Sequence, residues 1–509
     1  MPKLACCASS IFRVLLRRRD RIAAAASCPA NQTIGMLVGF LFISSMLTRD
    51  TLAGSSDNER PNVLFIAVDD LNDWVEGLND YGAAKTPHIS RLAHRGVLFT
   101  QAYCAAPACN PSRTSVMTGL RPTTSGVYFN NQDWRECDKL NDFTTLPHCF
   151  RSNGYKVLGG GKLYHAASLS QWGHEGYLDP RPWHEFFPSK SQQLPAEITP
   201  DSIPLNGSDQ FYRGYMDWAA LDIEDDQMAD AKVVSWAEEK LSQPCEQPLF
   251  LGVGIYRPHI PWYTPQAWFD AFPINSIEMP EVRLDDLSDV PQAGQAMSRR
   301  HWHDWMKKNG KWRSAVQGYL ASVSFADAMI GRLLDALDAG PHADTTVIVL
   351  WSDHGYHLGH KEHWEKFALW EQTTHVPLII VKPRSANSGK RCDRPASLLD
   401  IYPTLVELCG LECDERLDGQ SLVPLLDDPA AASDRAVVTT QGIGNHAVRS
   451  QHWRYIRYAN GDEELYNHQR DPHEFENLAR DSDYDQTKRQ LAEYLPIKNA
   501  ALCPSQTKR

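Results

Sequence analysis

Asn62-Val63-Leu64-Phe65-Ile66-Ala67-Val68 is an unbroken apolar run, and it stops at two carboxylates, Asp69-Asp70. A strand with one wet face alternates apolar and polar residues, so an unbroken run predicts a strand covered on both faces. The same pattern returns along the chain. Tyr155-Lys156-Val157-Leu158 reads as a short strand followed by a turn of three glycines and then Lys162. Residues 249–255 are apolar and lead to Arg257-Pro258-His259, and residues 346–351 lead to Ser352-Asp353-His354-Gly355. Residues 376–381 make one more strand.

Helical spacing fills the gaps. Thr86 is a good N-cap and Pro87 a good first residue for a helix running to Arg95 and closed by Gly96. Residues 226–241 and 314–337 also have helical spacing, as do residues 398–408, with Pro403 inside. Alternating buried strands and helices predict an α/β fold, a large mostly parallel sheet sandwiched by helices. Ligands of such sheets bind beyond the carboxyl ends of the strands. Every polar cluster just named lies at such an end. Residues 170–225 and 270–312 lack clear periodicity, and long irregular insertions of this kind often form functional rims.

Beyond Leu425 the composition turns polar. Residues 436–440, 452–458 and 464–467 alternate like antiparallel strands, with Asn460-Gly461-Asp462 as a turn. The expected organisation is a main domain over 60–430 and a small C-terminal α+β subdomain over 431–509.

The N-terminus carries Lys3, Arg17, Arg18, Arg19 and Arg21, then an apolar run over residues 35–47. That run is short for a membrane span and suits a signal segment over residues 1–53, with a single anchor as the alternative. Export is the expectation. The formal net charge of −12 argues against general nucleic-acid or anionic-membrane binding. It leaves room for a small basic pocket and an anionic substrate, and no integral membrane partner is implied. Of twelve cysteines, Cys137–Cys149 and Cys409–Cys413 are neighbouring pairs in sequence, but spacing alone does not fix pairing.

Cys109-Asn110-Pro111-Ser112-Arg113 runs on to Thr118-Gly119. Pro111 suits a first helical turn and Gly119 a helix stop, so Cys109 is expected at or just before a helix N-terminus, where an anion is favoured. An isolated cysteine there would be a buried apolar residue. The spaced set Cys-x-Pro-Ser-Arg with Thr-Gly resembles the signature of the sulfatase family. Leu120 stands where an arginine often follows in that family, with Arg121 next. The resemblance covers about residues 61–480 and is greatest to the iduronate-2-sulfatase-like branch, through 125–135, 161–165, 259–261 and 374–378.

The resemblance implies an alkaline-phosphatase-like fold, one Ca²⁺ and oxidation of Cys109 to formylglycine (3-oxoalanine) by a maturation enzyme. Asp69-Asp70 alone would more simply be a solvated turn or a cap. With Asp353 and His354 at another strand end, the set becomes a hard-oxygen site. The resemblance makes Asp69, Asp70, Cys109, Asp353 and His354 the metal ligands. A zinc site in the histidine-dense stretch 354–363 ranks lower, its other histidines being loop, rim or hydrogen-bonding residues. Lys162 and Lys366 are implied sulfate ligands, His165 the base of the second step, and His259 a sulfate ligand or the acid at the leaving oxygen. On residues alone, His259 is equally a hydrogen-bonded loop histidine, and Lys366 a surface lysine. In the implied chemistry, Ca²⁺ and Arg113 favour the deprotonated form of one hydroxyl of the hydrated aldehyde, which attacks sulfur and expels the alcohol with help from His259 and Lys366. His165 then takes the other hydroxyl proton and sulfate leaves. The implied activity is hydrolysis of sulfate esters on sulfated polysaccharide or glycosaminoglycan fragments. The alternatives are a phosphodiesterase or phosphonate monoester hydrolase on the same scaffold, and a non-catalytic binder of sulfated glycans.

Overall fold

The apolar runs become the middle of an eight-stranded sheet in the computed structural model, which describes residues 60–78, 81, 83–165, 176–189, 216–413 and 415–505. The expected leader over residues 1–53 lies outside the described residues. The strands are β1 (Asn62–Val68), β2 (Val97–Phe99), β3 (Lys156–Gly161), β4 (Glu185–Phe187), β5 (Leu249–Ile255), β6 (Thr346–Ser352), β7 (Leu378–Val381) and β8 (Lys390–Cys392). Their spatial order is β8-β2-β7-β6-β1-β5-β3-β4. β1 lies between two parallel neighbours, with Val68 level with Ile255 on one side and Ser352 on the other. β3 is parallel to β5 and to β4. Only β7 runs against its neighbours, β6 and β2. The sheet is therefore mixed but mostly parallel, and β1, β3, β5 and β6 all end at one edge.

The unbroken hydrophobicity of β1 has its reason in two cores. Leu64, Ile66 and Val68 join one cluster, with the helices α4 (Ala229–Leu241) and α6 (Trp312–Ala339). Val63, Phe65 and Ala67 face the other cluster, with α2 (Cys109–Thr118), α3 (Leu146–Ser152) and α7 (Ile401–Leu408). Burying each of the larger of these side chains (Ala67 aside) is worth about 1.5–3 kcal/mol, which fixes strand and register together.

Several expectations need correction. The glycines 159–161 are the end of strand β3, not a turn. A Cβ at Gly159 would meet the Trp183 ring at 2.5 Å, and one at Gly160 the Trp236 ring at 2.9 Å. These glycines make room for indoles rather than cradle an anion. The first helix, α1, is shorter than expected (Pro87–Ala93). The aperiodic stretch 270–312 holds the helix α5 (Arg300–Lys308). The C-terminal sheet has a strand that the pattern missed. Its order is β9 (Val437–Thr440), β10 (His446–Arg449), β11 (Trp453–Arg457) and β12 (Glu463–Asn467), all antiparallel. It shares a small core of Ala447, Ile456 and Tyr466 with Ala368, Leu369 and Trp370. Neither neighbouring cysteine pair is joined. Cys137 is bonded instead to Cys503. Among the described residues no helix is long and apolar enough to cross a membrane.

Candidate active site

The candidates gather at or near the ends of elements. Asp69 and Asp70 follow β1, Lys162 follows β3, Asp353 follows β6, and His259 follows β5 by one short loop. Cys109 is the first residue of α2, with Pro111 in the first turn and Gly119 closing the helix at φ 67°. The strand ends and the helix N-terminus thus meet at one point, under complete burial of Asp69, Asp70, Cys109, Asp353 and His354.

Arg113, one turn into α2, ties the carboxylates together. Its Nε donates to Asp353 Oδ2 at 2.8 Å and its Nη2 to Asp69 Oδ1 at 2.9 Å, while Nη1 donates to the Lys162 carbonyl. Lys162 itself donates to Asp69 Oδ2. Burial would raise the Asp69 carboxyl, but Lys162 and Arg113 outweigh it and hold that group far below the usual carboxylate range. Asp353 goes the other way. Burial raises it to about 7, against the pull of Arg113 and His354.

Asp70 has a left-handed backbone, φ 60°, which costs a non-glycine residue roughly 1 kcal/mol. Neighbours hold it there. Its N–H donates to Asp353 Oδ1 at 3.1 Å, and its carbonyl accepts from the Tyr319 hydroxyl at 2.9 Å. Lys366 Nζ donates to Asp70 Oδ1 at 2.7 Å and lies 3.1 Å from the Cys109 sulfur. The strand-and-loop stretch bearing Lys366 is also strained, with φ 72° at Glu365 and 75° at Phe367. The Phe367 N–H donating to the Pro107 carbonyl helps to fasten it beside α2.

Backbone carbonyls fix which ring nitrogen of His354 and of His259 turns toward the centre. His354 Nδ1 lies 3.0 Å from the Gly355 carbonyl, so that nitrogen carries the hydrogen. Its Nε2 faces Cys109 Sγ at 3.2 Å, Asp70 Oδ1 at 3.4 Å and Asp353 Oδ2 at 3.6 Å. Burial disfavours the imidazolium, but Asp353, Cys109 and Asp70 raise His354 to about 9. His259 donates through Nδ1 to the Ile260 carbonyl at 2.5 Å, and its Nε2 points toward Asp70 Oδ2 at 3.9 Å. His165 hydrogen-bonds to the Cys109 thiol, and burial lowers its own pKa. Burial alone would push the thiol up. Lys366, Lys162 and His354, with the hydrogen bond from His165, together hold it well below its ordinary value.

The donor set suits a divalent cation. Ligand atoms of Asp69, Asp70, Cys109 and His259 lie within 4.8 Å of one another, as do those of Cys109, Asp353 and His354. Asp70 Oδ2 is buried with no hydrogen-bond partner. Leaving a carboxylate oxygen so is costly unless a cation takes it. Three carboxylates are hard-oxygen chemistry, fit for Ca²⁺, and the imidazole beside them is a borderline donor.

The other histidines of the 354–363 stretch do not reach this centre. They are buried rather than on a rim. His363 Nδ1 accepts from the Arg299 N–H at 2.7 Å while its Nε2 faces the Lys366 carbonyl at 3.0 Å. His363 therefore links α5's approach segment to the backbone of Lys366. Sequence reading missed this role, and it missed Tyr319, whose hydroxyl reaches the Asp70 backbone from the middle of α6. A buried tyrosine at helical spacing carries no mark of where its hydroxyl ends. Leu120 lies in the second core, and the Arg121 N–H donates to Asp418 Oδ2 at 2.9 Å.

The sulfatase family model matches residues 61–411, and a model described as N-sulphoglucosamine sulphohydrolase, C-terminal, matches residues 359–500. A protein of Formosa agariphila named Sulfatase is 38% identical over 482 residues, 91% of this chain and 92% of that protein. Iduronate 2-sulfatase of Homo sapiens is 29% identical over 426 residues, covering 75% of each. The phosphonate monoester hydrolase of Silicibacter pomeroyi has a similar structure, with a TM-score of 0.71 at 21% identity, over 85% of this chain and 94% of that one. At that identity the likeness is one of fold.

Proposed function

The chain belongs to the sulfatase family and is a sulfuric ester hydrolase; from that premise we propose that it desulfates sulfated carbohydrate, polysaccharide or glycosaminoglycan fragments, at the Cys109 centre. The observation that carries this reading is the position of Cys109. It opens α2 in contact with Lys366 and His354, beside the buried carboxylates of Asp69 and Asp353 that Arg113 joins and the buried carboxylate of Asp70 that Lys366 holds.

Asp69, Asp70, Asp353 and His354, with residue 109, would hold one Ca²⁺. The thiol of Cys109 stands where formylglycine would stand after maturation by a dedicated enzyme. Bound and matured, the centre gains a Lewis acid for the sulfate oxygens and a hydrated aldehyde as nucleophile.

The chain's own residues do the rest. Arg113 fixes Asp69 and Asp353, so that their oxygens converge instead of repelling one another. Lys162 and Lys366 place two ammonium groups where negative charge grows on the transferring group. His259 is held by the Ile260 carbonyl with Nε2 turned inward, the atom through which a proton can pass to the leaving oxygen. His165 is kept neutral by burial and hydrogen-bonds to residue 109, which suits a base acting there. The substrate class rests on the likeness to iduronate 2-sulfatase, which favours sulfate on a uronic acid. Export is supported by the Cys137–Cys503 bond, since disulfides persist in oxidising compartments.

The test is sulfate release from a panel of defined sulfated oligosaccharides, with conversion of Cys109 confirmed by mass. Phosphonate monoester and phosphodiester substrates run in parallel. Sulfate release from uronate-containing members is expected. No release from any sulfated glycan by converted protein overturns the substrate class. A preference of orders of magnitude for the phosphorus esters overturns the reaction.

A further inference from the structure

Two thiols, those of Cys149 and Cys413, are hydrogen-bonded to one another. Cys149 lies in α3 and is buried, and Cys413 follows α7 and is partly exposed. The backbone between them is fixed from both ends. Asn153 Nδ2 donates to the Glu412 carbonyl at 2.9 Å, and Glu412 N–H donates back to Asn153 Oδ1 at 2.9 Å. Cys149 Sγ lies 3.8 Å from that same Glu412 carbonyl. The Tyr402 hydroxyl sits 3.3 Å from Cys413 Sγ, donates to the Thr144 carbonyl at 2.8 Å, and also hydrogen-bonds to Cys149.

We propose that Cys149 and Cys413 are a second disulfide site of the mature protein, one that straps the segment after α7 to α3. The chain already carries one long-range disulfide, Cys137–Cys503, so its thiols meet an oxidising environment. Hydrogen bonding to Cys149 outweighs burial and lowers the Cys413 thiol to about 6, which makes it the attacking sulfur. With a glutathione-type disulfide as oxidant, the Cys413 thiolate attacks one sulfur and expels one thiolate. Cys149 then attacks Cys413 Sγ and expels the second, and its proton leaves on the departing thiol. Two protein thiols are oxidised and one small disulfide is reduced to two thiols.

The bond would act on the segment that holds the end of the catalytic helix. Asp418 N–H donates to the Gly119 carbonyl at 2.8 Å, Asp418 Oδ2 accepts from the Arg121 N–H, and Leu417 packs over Gly119. Cys409 is not a competitor in this arrangement, because it hydrogen-bonds to Tyr155 instead.

The full-length protein is incubated with oxidised glutathione, alkylated without reduction, digested and mapped by mass. A peptide pair joining Cys149 to Cys413 is expected beside the Cys137–Cys503 pair. Alkylation of both Cys149 and Cys413 in molecules whose Cys137–Cys503 bond is intact overturns the proposal. In Cys149→Ser, Cys413→Ser and the double variant, the same loss of melting temperature is expected in all three. Losses that add in the double variant overturn a shared bond. Reduction that leaves Cys137–Cys503 intact should bring wild type to the melting temperature of the variants.

Discussion

Lys366 Nζ stands 3.1 Å from Cys109 Sγ across 257 residues of sequence. Its second contact is Asp70 Oδ1 at 2.7 Å, so one ammonium touches both the proposed nucleophile position and a carboxylate of the proposed metal site. Replacing it by alanine removes a preorganised charge from a buried site, where such a charge is worth about 10²–10³ in rate. Lys366→Ala is expected to lose that much kcat on an aryl sulfate, and to melt earlier as well, because buried Asp70 loses its ammonium partner. Lys366→Arg should recover little, because a planar fork does not replace a compact ammonium. A loss smaller than about tenfold would remove Lys366 from the chemistry.

Arg113 carries a structural burden as well. It is buried between Asp69 and Asp353, which are buried too. Removing one partner of such a set leaves carboxylates without compensation, at a cost of about 3–5 kcal/mol. Arg113→Ala should show that loss in chemical denaturation, in addition to losing activity. Arg113→Lys should fall between, since one ammonium cannot span both carboxylates. Equal stability of Arg113→Ala and wild type would mean that the two carboxylates are held by other groups.

The centre was legible in the sequence wherever chemistry coincided with a strand end. β1 and β6 had to be buried because their centres, Val63–Val68 and Val347–Trp351, are unbroken apolar runs, and the acids that follow them had to emerge at one edge of a parallel sheet. Cys109 was legible through Pro111 and Gly119, which bracket its helix. The glycines 159–161 misled because a glycine that admits a tryptophan ring reads like a glycine in a turn. His446–Arg449 was invisible because four residues of mixed character have no period. The Cys137–Cys503 bond was beyond reach for another reason: 366 residues separate the partners, and only the folded chain brings them together. Tyr319 acts through its hydroxyl and His363 through its two ring nitrogens, and a residue type does not say where such atoms point.

The unpartnered Asp70 Oδ2 makes a chelation experiment informative apart from turnover. A cation that binds only the folded protein stabilises it by about 2.7 kcal/mol at a hundred times its Kd. Chelator-treated protein is expected to melt earlier, and Ca²⁺ to restore both melting temperature and sulfatase activity. In Asp70→Asn the Ca²⁺-dependent rise should shrink or vanish while the metal-free protein stays folded. A rise that survives in Asp70→Asn would place the ion elsewhere.

Acid should destabilise the fold through histidines remote from the centre. His303 on α5 is buried against Trp312, and its Nδ1 has no hydrogen-bond partner. Burial, helped by Lys307, lowers it to about 4 from 6.5. Burial and Arg457 lower His446 likewise to about 4. Well above pH 6.5 these groups are neutral in both folded and unfolded chains and add no pH dependence. Between 6.5 and about 4 the unfolded chain takes up protons that the folded one refuses. Stability then falls with pH, and each group contributes a slope approaching about 1.4 kcal/mol per pH unit. His303→Phe keeps an aromatic ring beside Trp312 and has no proton to gain. Denaturation midpoints of wild type and His303→Phe should therefore converge at neutral pH and separate on acidification, with the variant the more stable. Parallel pH profiles would show that His303 is protonated equally in the folded and unfolded chains.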